Sequence, residues 1–271
     1  MKKYNLKIIS SGENRVEVYK VSGYSIFINN ESNNKDGRLG KEILNIEEKE
    51  ENQERSRKTT LVNARNNIIR LIKSNEDMKT FITLTFNIDT NYKESKKYLQ
   101  AMFLKLNRHY SEFKYLWVLE FGEKTDRIHY HMLCNLELPN IEFAASGKRK
   151  GKKHKEYEND FMKKYWKKGF IDIRALDKEG NSNIALYVSC YITKDLLDRQ
   201  LEGYRIYGYS NKTLDKPQIL NDYTNENLED IIKYFQKDYE IIYSNSYEIG
   251  YKTDYKARKG TMTYIDLKRK K

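Results

Sequence analysis

Between Leu6 and Ile28 short β-like runs (NLKII, RVEVYKV, YSIFI) are separated by SSGEN and SG, which predicts a small hairpin or meander. The polar stretch NNESNNKDG then breaks the pattern. From about Gly40 to Lys73 the chain is highly charged, with apolar residues only at positions such as Ile43, Ile46, Leu61, Ile68 and Leu71. That spacing predicts a helix with a solvated outer face. In FITLTFN, Phe81, Thr83 and Thr85 alternate with Ile82, Leu84 and Phe86, so a strand with one apolar face is expected. Leu99, Met102, Phe103 and Leu106 recur at helical spacing within Lys96 to Tyr110. YLWVLEFGE and RIHYHMLCNLEL read as two strands joined by the turn EKTD. After them come the basic stretch GKRKGKKHK, a helical FMKKYWKK and a short strand GFIDIRAL. A helix is predicted over about Asn183 to Leu197, behind the capping candidates Asn181 and Ser182. The remainder is less regular, with one more helix near Leu228 to Asp238.

Strands and helices interleave without βαβ glycine signatures, so the predicted class is α+β, a mostly antiparallel central sheet with helices packed on it. The length, 271 residues, allows one or two domains and a substantial core without disulfide or metal staples. The segments expected are an N-terminal accessory hairpin and charged helix (1–78), a central domain (79–210) and a C-terminal extension (211–271).

Composition narrows the function. Fifty-one Lys and Arg against 39 Asp and Glu give a net charge of +12, which points to a polyanionic partner, nucleic acid first. Two cysteines, Cys134 and Cys190, exclude a disulfide framework and fit a reducing cytoplasm. No signal-like N-terminus and no apolar run of about 18 residues is present, so no membrane association is expected. Tyrosine is abundant, 23 residues against 10 Phe and 2 Trp, and base stacking, codon bias or tyrosine chemistry each accounts for such an excess.

Two clusters carry candidate chemistry. His129 and His131 lie two apart in a strand, so both imidazoles share one face and Tyr130 takes the other. Paired imidazoles suit a metal ion. Glu120, across the hairpin, offers a third ligand; Glu123 falls in the turn and is the weaker candidate. In ALYVSCYITKDL, Tyr187, Tyr191 and Lys194 share one helical face, while Ala185, Val188, Ile192 and Leu196 share another. Half-buried aromatics with a snorkelling lysine give the same pattern.

Taken together and in this order, these pieces resemble the HUH endonucleases, in particular the rolling-circle replication initiators of small phages and plasmids. FITLTFN is similar to their first motif, IHYHML to the histidine–hydrophobe–histidine motif, and YVSCYITKD to the third motif in its two-tyrosine form. KKGFIDIRAL and RIYGYS are looser matches, and the resemblance spans about residues 79–210. Many relatives carry proline before the first histidine, where Ile128 stands here; this alters the entry to the strand and no ligand.

The resemblance implies an RRM/ferredoxin-like nuclease fold and a divalent ion, Mg²⁺ or Mn²⁺ by reaction type, held by His129, His131 and Glu120. It also implies tyrosine attack on single-stranded DNA or an origin hairpin. Tyr191 is the expected first nucleophile because of its spacing to Lys194, whose ammonium favours the phenolate, and Tyr187 is the alternating partner. The product is a 5′-phosphotyrosyl bond and a free 3′-OH, and the bond conserves the energy for rejoining. Lys148, Arg149, Lys150, Lys152, Lys153 and Lys155, with Lys163, Lys164, Lys167 and Lys168 around Trp166, are candidate phosphate contacts, and exposed aromatics could stack on bases. A solvated charge run accounts for the same lysines.

No Walker-type phosphate loop occurs, so duplex unwinding is expected from a host helicase in a bacterial cytoplasm. The competing readings are an HUH transposase or relaxase-like strand transferase, a zinc phosphohydrolase, and a non-enzymatic single-strand-binding module. Oligomeric state and origin sequence are not readable from this chain.

Overall fold

The computed structural model describes residues 2–23, 26–28, 46–122, 127–144, 148–176, 188, 204–253 and 256–270. The chain divides into two compact units, one formed by Met1–Lys49 with Lys216–Lys271 and the other by Glu50–Asp215.

The Glu50–Asp215 unit holds the candidate chemistry. Its strands are β5 (Thr80–Phe86), β6 (Tyr115–Phe121), β7 (Ile128–Cys134), β8 (Gly169–Ala175) and β9 (Tyr207–Tyr209), and its helices are α1 (Ile46–Lys73, which begins just ahead of it), α2 (Tyr92–His109) and α3 (Lys152–Lys164). The sheet order is β8-β5-β7-β6-β9, and every neighbouring pair is antiparallel. The run β5-α2-β6-β7-α3-β8 is a βαββαβ unit, the split βαβ arrangement of ferredoxin-like folds. The expected α+β class and antiparallel sheet are therefore observed.

Period-two alternation divides the two sheet faces. Ile82, Leu84, Phe86, Trp117, Leu119, Ile128, Tyr130, Met132 and Cys134 line one face, under Leu99, Met102, Phe103 and Leu106 of α2 and Phe161 of α3. Asn91 caps α2 by accepting a hydrogen bond from the Glu94 N–H at 3.0 Å, which holds the entry of that helix. The opposite face is apolar only at one end. There Phe81, Leu116, Val118 and Leu133 meet Leu61, Ile68, Leu71 and Ile72 of α1, together with Val188.

The other unit contains β1 (Lys2–Tyr4), β2 (Leu6–Ser11), β3 (Arg15–Ser22), β4 (Ile26–Ile28), β10 (Gln218–Asp222), β11 (Tyr239–Thr253) and β12 (Lys256–Arg269), with α4 (Leu228–Phe235). Strands β10-β2-β3-β12-β11 form a second antiparallel sheet, so sequence-distant ends share one ladder, and β1 pairs with β4. Leu6, Val16, Val18, Ile265 and Leu267 pack with Ile231 and Ile232 of α4. The hairpin of β2 and β3 and the helix α4 agree with expectation. The 15- and 14-residue strands β11 and β12 correct the reading of that region as less regular.

Gly169 opens β8 opposite Phe86, and a Cβ there would lie 1.9 Å from the Thr85 carbonyl oxygen. Gly151 precedes α3 with nothing within 4 Å of such a Cβ and no side-chain cap. Gly169→Ala should therefore lower stability by ~1–3 kcal/mol through overpacking. Gly151→Ser should be neutral or stabilising by supplying a cap. Thermal unfolding of the two variants checks the contrast.

Candidate active site

Strand register builds the site. On β7, His129 and His131 share the face of Leu133, whereas Tyr130 turns into the core and its hydroxyl lies 2.7 Å from Ser95 Oγ. His131 stands opposite Thr83 of β5 and Val118 of β6, and His129 opposite Thr85 and Glu120. Three adjacent strands thus contribute two rows of side chains to one polar patch, just beyond the apolar end of the face.

Each imidazole is held from behind. Thr83 Oγ1 lies 3.1 Å from His131 Nδ1, and Thr85 Oγ1 lies 3.0 Å from His129 Nδ1. A threonine hydroxyl can accept the Nδ1 proton, which leaves Nε2 with its lone pair. His131 Nε2 meets a Glu120 carboxylate oxygen directly, and both side chains are buried. Burial lowers the pKa of His129, the neighbouring His131 adds to this, and Glu120 opposes it. His129 is thereby biased toward the neutral form that can donate a lone pair.

Among the described residues no three His, Cys, Asp or Glu side chains are gathered at metal-holding distance. Glu120 is engaged with His131 instead of standing apart from both imidazoles. The donor set nevertheless fits a divalent ion: two rings anchored through Nδ1 and a carboxylate at the Nε2 of one of them are the chemistry such an ion takes. The Glu120–His131 contact is where an ion would replace a shared proton.

Tyr187, Tyr191 and Lys194 lie outside the described residues, as do Glu123, Cys190 and most of the predicted 183–197 helix. Val188 is described. It is helical, fully buried, and clustered with Phe81, Leu116, Val118 and Leu133 on the histidine-bearing face.

The basic candidates separate. Lys148, Arg149, Lys152, Lys153, Lys155, Lys163, Lys164 and Lys167 are exposed, and Lys168 is half-buried with Nζ 4.3 Å from the Tyr98 ring centroid. Arg149, Lys152 and Lys155 line a shallow cavity around Gly151. Lys150 also borders it, but its ammonium is tied to Glu158 at 2.7 Å and Asp172 at 2.5 Å, so it serves first as a structural ion pair. Burial alone would raise the pKa of Asp172, and the hydrogen bonds from Arg174 and Lys150 outweigh it and hold the carboxyl below its usual range.

Trp166 is buried in the core, which removes it as a stacking surface. His154, inside the basic run, is also structural. Its Nδ1 accepts from the Ala144 N–H at 3.1 Å and its Nε2 donates to the Ile173 carbonyl at 2.9 Å. Thr83 and Thr85 are the site residues that the sequence reading passed over. Their signal was their alternation on β5, read only as the polar side of a strand.

Residues 79–196 match the model of a family of replication-associated proteins, the ORF2 family. That span is less than half of the chain and runs from just before β5 through the tyrosine-bearing motif, and it supports a replication initiator. No curated protein and no solved structure matches the chain. Among the described residues no helix is long and apolar enough to cross a membrane.

Because the unfolded chain takes up a histidine proton near pH 6.5 and folded His129 resists it, the stability from this group is full above that pH. It falls as the pH drops through that value and levels off below the depressed folded pKa. Glu120→Gln removes the one neighbour that raises the pKa, so His129 should titrate lower still. Histidine NMR titration of the parent and variant checks both statements.

Proposed function

We propose that this chain is a replication initiator that nicks single-stranded DNA at an origin by tyrosine attack and later rejoins the ends by strand transfer. The observation that carries this reading is the pair of Thr-anchored imidazoles facing a buried carboxylate, within the segment that matches a replication-associated family. A phosphodiester resists nucleophiles because of its own negative charge. A divalent ion, Mg²⁺ or Mn²⁺, would supply charge neutralisation at its non-bridging oxygens.

The chain's residues would do the rest. His129, His131 and Glu120 hold the ion, and Thr83 and Thr85 set the ring orientation. Tyr191 attacks phosphorus and expels the 3′-oxygen, and the bond formed is a 5′-phosphotyrosyl ester. Lys194 favours the phenolate, and Tyr187 takes the second transfer. The burial of Val188 on the histidine-bearing face supports a helix bringing this motif to that side of the sheet. The exposed lysines and arginine near α3 fit phosphate contacts that position DNA without reading its sequence. The reading places the protein in a bacterial cytoplasm with unwinding supplied by a host helicase.

Incubation with a cleavable single-stranded origin oligonucleotide and Mn²⁺ should yield a covalent protein–DNA adduct, with the nucleotide mapped to Tyr191 by mass spectrometry. Tyr191→Phe should reduce the adduct at least tenfold, and chelation or the double change His129→Ala, His131→Ala should abolish it. Full nicking by that double variant would overturn the metal role. Loss in Tyr187→Phe alone would reverse the tyrosine assignment. Divalent-dependent cleavage with a free 5′-phosphate and no adduct would favour a phosphohydrolase.

A further inference from the structure

At the β9 edge of the sheet an aromatic ledge stands exposed. Tyr204, just ahead of β9, is 42% exposed, and its ring stacks on Tyr92 with centroids 4.3 Å apart and planes 20° from parallel. Tyr92 is the first residue of α2. Its hydroxyl accepts from the Arg205 N–H at 3.1 Å and donates to the Arg205 carbonyl at 3.4 Å, so the lower ring of the stack is fixed. Phe121 closes the back, 6.5 Å from the Tyr204 centroid. Two tyrosines have thus been ordered with one ring left facing solvent, which costs side-chain entropy and hydrophobic exposure unless something covers it.

Positive charge gathers beside the ledge. Lys96 lies one turn beyond Tyr92 on α2, with Nζ 3.5 Å from the Trp117 ring centroid. Its pKa is lowered to about 8 by burial and then by the charge of Arg205, and no carboxylate among the described residues offsets this. Two cations held close together, beside an open aromatic face, are complementary to one chemical class: an anion that carries a planar ring.

The location joins this to the site above. Phe121 follows Glu120 on β6, and adjacent strand residues face opposite sides of the sheet, so the ledge and the imidazole–carboxylate patch flank the same end of that strand. We propose that Tyr204 on Tyr92, with Lys96 and Arg205, forms a nucleotide subsite: Tyr204 stacks on an unpaired base and the two cations take its phosphate. This deepens the single-stranded DNA reading and rests on it. Stacking on a π-face tolerates any base, so the subsite grips single strands without reading their sequence.

The test measures binding alone. The full chain is titrated, in EDTA to prevent cleavage, onto a fluorescein-labelled mixed-sequence single-stranded oligonucleotide, and anisotropy is read. Tyr204→Ala should weaken affinity about tenfold, which corresponds to ~1.4 kcal/mol, while Tyr204→Phe keeps the parental affinity. Lys96→Gln should weaken binding and make the salt dependence shallower by about one ion. Equal affinity in Tyr204→Ala and the parent, or a Tyr204→Phe as weak as Tyr204→Ala, overturns the subsite while leaving the nuclease reading to its adduct. A tenfold loss in Tyr204→Ala without any phosphotyrosyl adduct upholds the subsite and overturns the nuclease. A parent chain that binds no single strand overturns both.

Discussion

The site depends on the register of β7 between β5 and β6. One strand supplies two imidazoles to one face and Ile128, Tyr130, Met132 and Cys134 to the core on the other. A slip of one residue would bury both histidines and expel four core side chains, so the apolar face enforces the geometry of the polar one. The threonines follow from the same constraint, because Thr83 and Thr85 meet His131 and His129 directly across the ladder. No loop has to be held in place to orient these rings, and regular backbone does the work.

Burial adds a second layer of control. The face that carries the histidines is apolar at one end, where α1 and Val188 cover it, and polar at the other. Glu120 and His131 therefore sit at the boundary of a dry region, where charge interactions are stronger than in water. Cys134 illustrates the opposite outcome. It lies wholly within the core, burial pushes its thiol up to about 12, and it is inert as a nucleophile.

Much of this was legible in the sequence, for identifiable reasons. Alternation in FITLTFN and IHYHML marks both strands, and period two alone puts His129 and His131 on one side. Asn91 and the Leu99–Leu106 spacing mark α2. Ten basic residues around α3 look alike in the sequence, yet Lys150 is neutralised by Glu158 and Asp172, which arrive from a helix and a strand further along the chain. Trp166 has basic neighbours in sequence and core neighbours in space. The strands β11 and β12 escaped notice because β11 exposes nearly all its described side chains and shows no one-sided apolar alternation. Tertiary partners decide such residues, and local pattern does not contain them.

The second sheet carries a consequence for how the chain acquires its structure. Tyr19 of β3 is paired with Tyr264 of β12, and Leu6 of β2 with Asp222 of β10. Residues 50–215, a compact unit with a core of its own, intervene between these partners. During synthesis β2 and β3 must therefore wait, as a two-stranded hairpin of marginal stability, until the whole intervening unit has been made. The unit bearing the histidines can complete its fold first, and the enclosing sheet then closes through contacts of very high sequence separation, a slow step by topology.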